Sequence, residues 1–370
     1  MEETSEEYKL PNSSSTKSSW IYLIRQMFVC SGVTSYFFIS GLFFGAPTVY
    51  VPQIRKEANS TEIISMEMVS WLFSISSYGA VIWTSTIPII AARYGRKLPF
   101  IIAWVVTMIS ILLSYFSTTV TELFVSSFLS GILPTIVIIM SIMVLTEYTS
   151  PKYRGILITF KGATFYWGVW VSNAIGTFFH WKNICIVAFV CCIYNISILL
   201  WPESPVWLAK KGRFKECAIS HRWLKGQDNV SEEELKELIF LQREQFKRKQ
   251  EQRNGFKNNK IIKLIRTVKR KSFYKPLLYS ILTIGLYHFS GKMACTGYVL
   301  DIIKKISSSE SMAYEGMLVL DGITVLGMYI GVFLNRFLKR RTLLLGCASI
   351  GVVCLFILSI YLYLIHFNVE

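Results

Sequence analysis

The sequence predicts an all-α polytopic membrane protein, and three observations carry that prediction. Residues of the AVILMFWYC set make up 52% of the 370-residue chain, whereas charged residues make up only 17%. The mean hydropathy is +0.44. The apolar residues are also gathered into stretches of the length a bilayer demands of a helix, about 20 residues. A soluble enzyme, a disulfide-stapled secreted domain and a disordered chain are excluded, because none could keep so much apolar surface away from water.

Nine such stretches can be placed, at 28–50, 68–91, 98–117, 121–146, 156–179, 183–201, 277–300, 314–335 and 342–366. They divide the chain into a tail (1–27), a six-span bundle (28–201), a basic loop (202–275) and a partial bundle of three spans (276–370). The tail is acidic and Ser-rich and lacks the cationic start and short apolar core of a signal peptide. In the basic loop, Ser231 and Glu234 have the spacing of a capping box, and Leu235, Leu238, Ile239 and Phe246 follow on one side. A solvated helical layer is expected there, with contact to anionic lipid as the alternative.

A net charge of +16 raises the question of nucleic acid, and its distribution answers it. Between residues 202 and 275 there are 20 Lys and Arg against 9 Asp and Glu. With the tail and the loops after spans two, four and eight, one side of the membrane totals +19; the alternate loops and Glu370 total −3. Glu147, Lys161, Lys292 and Asp321, inside or at the edge of spans, cancel. Positive charge orients loops inward. The N-terminus and the basic loop are therefore expected in the cytoplasm, with the chain threaded through the cell membrane; the bilayer is its partner and nucleic acid is not. Asn59-Ser60-Thr61 falls in the first outward loop and is a glycosylation candidate. The eight Cys lie mostly in spans and form no CxxC pair, so they read as small apolar residues, and no metal or cofactor is expected. No nucleophile-base pair or phosphate-cradling loop accompanies the spans, so an enzyme is not expected either.

A basic-aromatic-x-basic-basic pattern occurs twice, as Arg93-Tyr94-Gly95-Arg96-Lys97 after span two and Arg336-Phe337-Leu338-Lys339-Arg340 after span eight. The matching positions predict a duplicated six-span unit, the arrangement of parallel repeats that place a substrate site near the midplane. Further motifs stand in order: Glu147, Pro151, Arg154 and Gly155, then Pro202-Glu203-Ser204-Pro205-Val206-Trp207-Leu208 with Lys211-Gly212-Arg213 behind it. From about Gly41 to Arg341 the sequence resembles the sugar porters of the major facilitator superfamily, most of all the insect facilitated trehalose transporter-like group. The resemblance implies a major facilitator fold with a complete six-helix N-terminal half and a truncated three-helix C-terminal half. It also implies facilitative transport of a sugar, trehalose or a hexose, by alternating access. Departures are visible. Ala92 and Pro88 replace the Asp and leading Gly of the first motif, and Ser127 and Gly162 replace the usual Arg and Gln of spans four and five.

Charges at the ends of spans are costly without partners. Glu203 is expected to pair with Arg96 or Arg154, and together with Arg93, Glu147 and Arg336 to form a charge network that latches one conformation. The alternative is surface anchoring, worth roughly 0–1 kcal/mol per pair. The substrate site is expected in span seven, at Tyr287, His288, Ser290, Gly291, Lys292 and Tyr298, where the family's two Gln and one Asn are absent. On a continuous helix His288 and Lys292 share a face with Gly291 and Cys295. Lys292 then faces either a wet cavity, favouring an anionic solute, or the outer membrane surface. Asp321 is expected to bond a neighbouring span or, alternatively, to relay protons. Finally, 276–370 has room for three spans where a copy of the first half needs six. A shortened transporter and a degenerate, non-transporting regulatory paralogue both remain open at this point.

Overall fold

The computed structural model describes residues 19–57, 65–254, 270–291, 298–306 and 310–368, together with Val268 and Thr296. Asn59 and Lys292 lie outside the described residues. The described residues are helical throughout. The first half comprises α1 (Ser19–Glu57), α2 (Met66–Tyr94), α3 (Lys97–Phe116), α4 (Val120–Ser130), α5 (Ile132–Thr135), α6 (Ser141–Tyr148), α7 (Pro151–Phe178) and α8 (Lys182–Tyr194). A π turn at Ile136–Met140 joins α5 to α6, so α4 to α6 form one rod, and a 3-10 turn at Asn195–Leu200 extends α8. Three helices follow as a separate layer, α9 (Pro205–Lys210), α10 (Phe214–Lys225) and α11 (Asn229–Asn254). The rest comprises α12 (Lys271–Phe289), α13 (Val299–Ile306), α14 (Glu310–Phe337) and α15 (Arg340–Asn368).

Local chemistry sets the boundaries. Ser65 caps α2 by accepting from the Met68 amide at 3.2 Å, and Thr119 with Glu122 forms a capping box on α4. Both basic motifs fall in two-residue turns between long helices, α2 to α3 and α14 to α15. Among the described residues seven stretches suit a bilayer by length and composition: Trp20–Glu57, Glu67–Tyr94, Lys97–Phe116, Val120–Tyr148, Lys182–Leu200, Ser311–Leu334 and Arg341–Tyr361. The expected spans five and seven, α7 and α12, are not among them. In α7 the reason is its polar and small residues, among them the buried Lys161, Ser172 and Asn173.

Span seven is also shorter than the 277–300 expected. α12 ends at Phe289, Ser290 closes it, and Gly291 adopts φ +73, a left-handed conformation that glycine takes without a Cβ penalty. His288 and Gly291 therefore do not share the face of one continuous helix, and the expected placement of Lys292 lies outside the described residues.

The core runs through the first half, with Tyr36, Phe100, Ile132, Leu133, Ile136 and Tyr148 fully enclosed. α1 lies along α7, where Gly41 and Gly168 let the backbones meet. A Cβ on Gly41 would sit 2.0 Å from the Phe165 carbonyl oxygen, and one on Gly168 would sit 2.2 Å from that of Phe38. Small-residue contact of this kind drives helix association where water supplies no force. A second, smaller core joins Trp207, Leu208, Ala209 and Cys217 to Leu235, with Leu238 and Ile239 against it, so α11 buries the side that its sequence marks as apolar. Its start differs from expectation. The helix opens at Asn229; the Ser231 hydroxyl donates to the Gly226 carbonyl, and Glu234 pairs with Lys225 at 2.7 Å, so no capping box forms.

The layer is fastened to the bundle by α1. Buried Gln26 donates to the Leu224 carbonyl and the Ser150 hydroxyl, both at 3.1 Å, and accepts from the Ser150 amide at 3.0 Å. Arg25 donates to the Trp223 carbonyl at 3.0 Å and stacks over that indole.

Candidate functional site: a clasp and a cavity

At one end of the first half three motifs meet. Gly95, after the last turn of α2, has φ +119 and ψ 176, a region essentially closed to residues with side chains. A Cβ there would lie 2.2 Å from Glu203 Oε2. Without it, the Glu203 carboxylate reaches the first amides of α3, accepting from Arg96 N at 2.7 Å and Lys97 N at 3.4 Å, and also from Ser204 N at 2.8 Å. A carboxylate at a helix N-terminus satisfies orphan donors and opposes the helix dipole.

The Arg96 side chain points to Glu147. Nε donates to Oε2 at 3.1 Å and Nη2 to Oε1 at 3.0 Å, a two-pronged pair with side chains only 5% and 11% exposed. Nη1 caps α2 through the Ala91 carbonyl at 3.2 Å. Ser204 donates to Glu147 Oε2 at 2.6 Å and caps α9 by accepting from Trp207 N at 3.2 Å. Tyr148 donates to the Pro202 carbonyl at 2.9 Å, and the Trp207 indole donates to that of Ala92 at 3.2 Å. The ends of α2, α3 and α6 and the start of α9 are thereby bound in one polar knot.

This arrangement differs in detail from the expected pairing. Glu203 meets backbone amides and not a guanidinium, because Gly95 opens the way to them and Arg96 is already engaged by Glu147. Arg154 instead donates to the last carbonyls of span four, Thr146 at 2.8 Å and Thr149 at 3.3 Å. Arg93 is exposed. Arg336 lies in the last turn of α14, its side chain outside the described set.

From the middle of the bundle toward the opposite end runs a cavity of about 670 Å³. Its polar wall is made of hydroxyls: Ser40 and Tyr50 of α1, Ser76 and Ser77 of α2, Ser126, Ser127 and Ser130 of α4, and Tyr166 of α7. Its apolar wall is aromatic, with Phe37, Phe43, Phe44, Phe73, Phe165 and Trp181. Flat apolar rings and oriented hydroxyls suit a polyol, whose ring faces are apolar and whose rim both donates and accepts.

Of the six residues expected in the site, Tyr287, His288 and Tyr298 line this cavity. Tyr287 bonds Tyr166, and the Tyr298 hydroxyl lies 3.1 Å from Ser70 Oγ with its ring against Phe73. Ser290 spends its hydroxyl on the Tyr287 carbonyl, and Gly291 makes the turn. The serines of the polar wall were not expected, apart from the substitution at Ser127.

The first half meets α14 through α7. The Asn173 amide donates to Asp321 at 2.6 Å, the Trp167 indole to the Tyr329 hydroxyl at 3.0 Å, and the Trp170 indole to the Leu318 carbonyl at 3.2 Å. Asp321 thus bonds a neighbouring helix, the first of its two expected roles.

Long apolar helices around an interior cavity, with a buried ion pair joining helix ends away from it, define a multi-pass membrane protein. Residues 4–368 match the profile of the family described as "Sugar (and other) transporter", and the chain belongs to that family. Similar proteins include the Facilitated trehalose transporter Tret1 of Apis mellifera ligustica, 24% identical over 84% of this chain and 60% of that protein. The Tret1 of Bombyx mori is 23% identical over 93% and 64%. The Sugar transporter ERD6-like 12 of Arabidopsis thaliana is 26% identical over 82% and 63%. The chain therefore spans under two thirds of the length of these relatives. Among solved structures, the xylose transporter XylE from E. coli in a partially occluded inward open conformation superposes with a TM-score of 0.64 at 15% identity, covering 87% of this chain and 75% of that one. XylE bound to 6-bromo-6-deoxy-D-glucose gives 0.59 at 16%, covering 82% and 68%. The shared architecture is the major facilitator fold.

Proposed function

We propose that the chain is a passive transporter of a sugar, trehalose or a hexose, that works by alternating access. The observation that carries the reading is the pairing of a hydroxyl-and-ring cavity with a buried Arg96–Glu147 clasp at the other end of the same helices. In this reading the cavity end faces outward and the clasp end faces the cytoplasm, an orientation that the +19 against −3 charge asymmetry supports. Solute enters against Ser126, Ser127, Tyr166, Tyr287, His288 and Tyr298. The clasp then parts, and α7 slides against α14 about the Asn173–Asp321 contact. The family to which the chain belongs supports the sugar, and the named activity of the Tret1 relatives supports a facilitator of trehalose. The boundaries at 27, 201 and 275, the cell-membrane location and a glycan on Asn59 belong to the same proposal.

The test is uptake of labelled trehalose and glucose into vesicles holding the 370-residue chain. Saturable uptake that cold sugar competes away, without a proton gradient, is the expected result. Uptake that stays linear with concentration in correctly inserted chain would reject transport and leave a regulatory membrane protein.

A further inference from the structure

We propose that, among hexose-sized solutes, the cavity selects a hexuronic acid, a polyol ring carrying one carboxylate, over the neutral sugar. The inference rests on the reading of the cavity as a sugar site and narrows it. No Asp, Glu, Lys or Arg lines the cavity among the described residues, yet an ammonium group stands behind each end of it. Lys161, one residue before the lining Gly162, is 9% exposed. Its Nζ donates to Ser141 Oγ at 3.2 Å and lies 5.2 Å from the ring centroid of Phe37, itself a lining residue. Lys182, beside the lining Trp181, donates to the Ser117 carbonyl at 3.3 Å and lies 5.7 Å from that indole.

Every partner of these two ammonium groups among the described residues is neutral. Among the described residues neither ammonium is ion-paired to a carboxylate, and the acids flanking the cavity are held by other groups. Glu122, next to the lining Leu123, accepts from the amides of Thr118 and Thr119 at 2.7 and 3.2 Å. Asp321 accepts from Asn173, and Glu57 pairs with His180 at 3.0 Å. A buried charge acts strongly through a low-dielectric wall. An ionisable residue in a spanning segment with no acidic partner calls for one. A solute carboxylate at the Lys161 end would answer that charge while its hydroxyls meet Ser126, Ser127 and Ser130. A neutral sugar leaves the field unused, and an amino sugar is repelled by it. Selection of this kind needs both the attraction and the repulsion.

The experiment measures binding to the full chain in detergent, by quenching of tryptophan fluorescence, for glucuronate, glucose and glucosamine. These three rings share size and differ in charge. Glucuronate is expected to bind about tenfold more tightly than glucose, with glucosamine weakest. Lys161→Met is expected to bring the glucuronate-to-glucose ratio to about one, and Lys161→Arg to keep it. If Lys161→Met does not yield a monodisperse protein, the order of the three ligands on the unaltered chain decides alone. Glucose binding as tightly as glucuronate, or a ratio that Lys161→Met leaves unchanged, overturns the inference while the sugar reading stands. Binding of none of the three overturns both.

Discussion

Glu147→Gln tests the clasp with almost no change of shape. In the closed end Arg96 is 5% exposed and its guanidinium is divided between the two carboxylate oxygens of Glu147 and the Ala91 carbonyl. Glutamine leaves one acceptor in place of two and removes the countercharge. Breaking one partner of a buried pair costs about 3–5 kcal/mol, and the acceptor that remains puts this case near the lower figure. In an opened end the guanidinium is hydrated and the substitution costs little there. The whole loss therefore falls on the closed state, and about 3 kcal/mol lowers the closed-to-open ratio by about 150-fold.

The assay is the labelling rate of Ala91→Cys, a position with 0% exposure at the end of α2, by a hydrophilic maleimide. Where closing is faster than modification, the rate follows the open population, so Glu147→Gln should label about two orders of magnitude faster. The exposed native thiols Cys347 and Cys354 are first replaced by Ala, and buried Cys217 contributes little background because burial pushes it up to about 11. Replacing both partners, Arg96→Met with Glu147→Met, should recover most of the protection, since an apolar pair leaves no unpaired charge. Equal labelling of Glu147→Gln and the parent would refute the clasp as a conformational element and return these residues to surface anchoring.

Three further outcomes follow from the same geometry. Gly95→Ala strains a backbone at φ +119 and displaces the Glu203 carboxylate, a combined loss of about 3–5 kcal/mol that should appear as a lower thermal midpoint in detergent. Asn173→Leu strands the Asp321 carboxylate between α7 and α14 and should cost about 3 kcal/mol, most of it restored when Asp321→Leu is added; a double variant as unstable as the single would refute the pair. His221, 3% exposed in α10, is pushed down to about 4, first by burial and then by the Lys225 charge. The folded layer thus disfavours a proton that the unfolded chain binds near its ordinary value, so stability is complete above about pH 6.5 and falls toward pH 4 by about 3 kcal/mol. A His221→Met variant should flatten that thermal-midpoint profile, and an unchanged slope would show that other groups govern it.

Hydropathy and charge made seven of the nine expected spans legible and pointed to Arg96, Glu147 and Glu203, though Arg93 and Arg154 make no part of that knot, because a stretch of about 20 apolar residues and a basic turn leave few alternatives. The partners within the clasp were not legible. Whether Glu203 meets a guanidinium or an amide depends on the backbone of Gly95, and no spacing rule encodes φ +119. The cavity serines were hidden for a different reason. Serine in a spanning helix reads the same whether it lines a cavity, as Ser127 does, or returns its hydroxyl to its own helix, as Ser74 does to the Ser70 carbonyl and Ser85 to that of Val81. Span seven misled because apolar composition cannot show that the helix ends at Phe289 and that Gly291 takes a left-handed conformation.

The clasp and the cavity share span four, and the π turn at Ile136–Met140 reconciles their demands. Ser126, Ser127 and Ser130 face the cavity, whereas Glu147, on the same rod, faces Arg96 at the start of α3. An α-helix turns about 100° per residue, so the angle between two faces on one rod is fixed by the count of residues between them. The wider turn inserts an offset that an unbroken α-helix would not allow. It also places a locally loosened ladder between the two sites, with Ser141 at its end returning a hydroxyl to the Val137 carbonyl while accepting from Lys161. Turns of this type recur at functional positions because they tolerate a change of register that regular helix resists. In the proposed cycle a movement at Glu147 would reach the serines through a helix that contains its own point of adjustment, one that Lys161 contacts from the neighbouring α7.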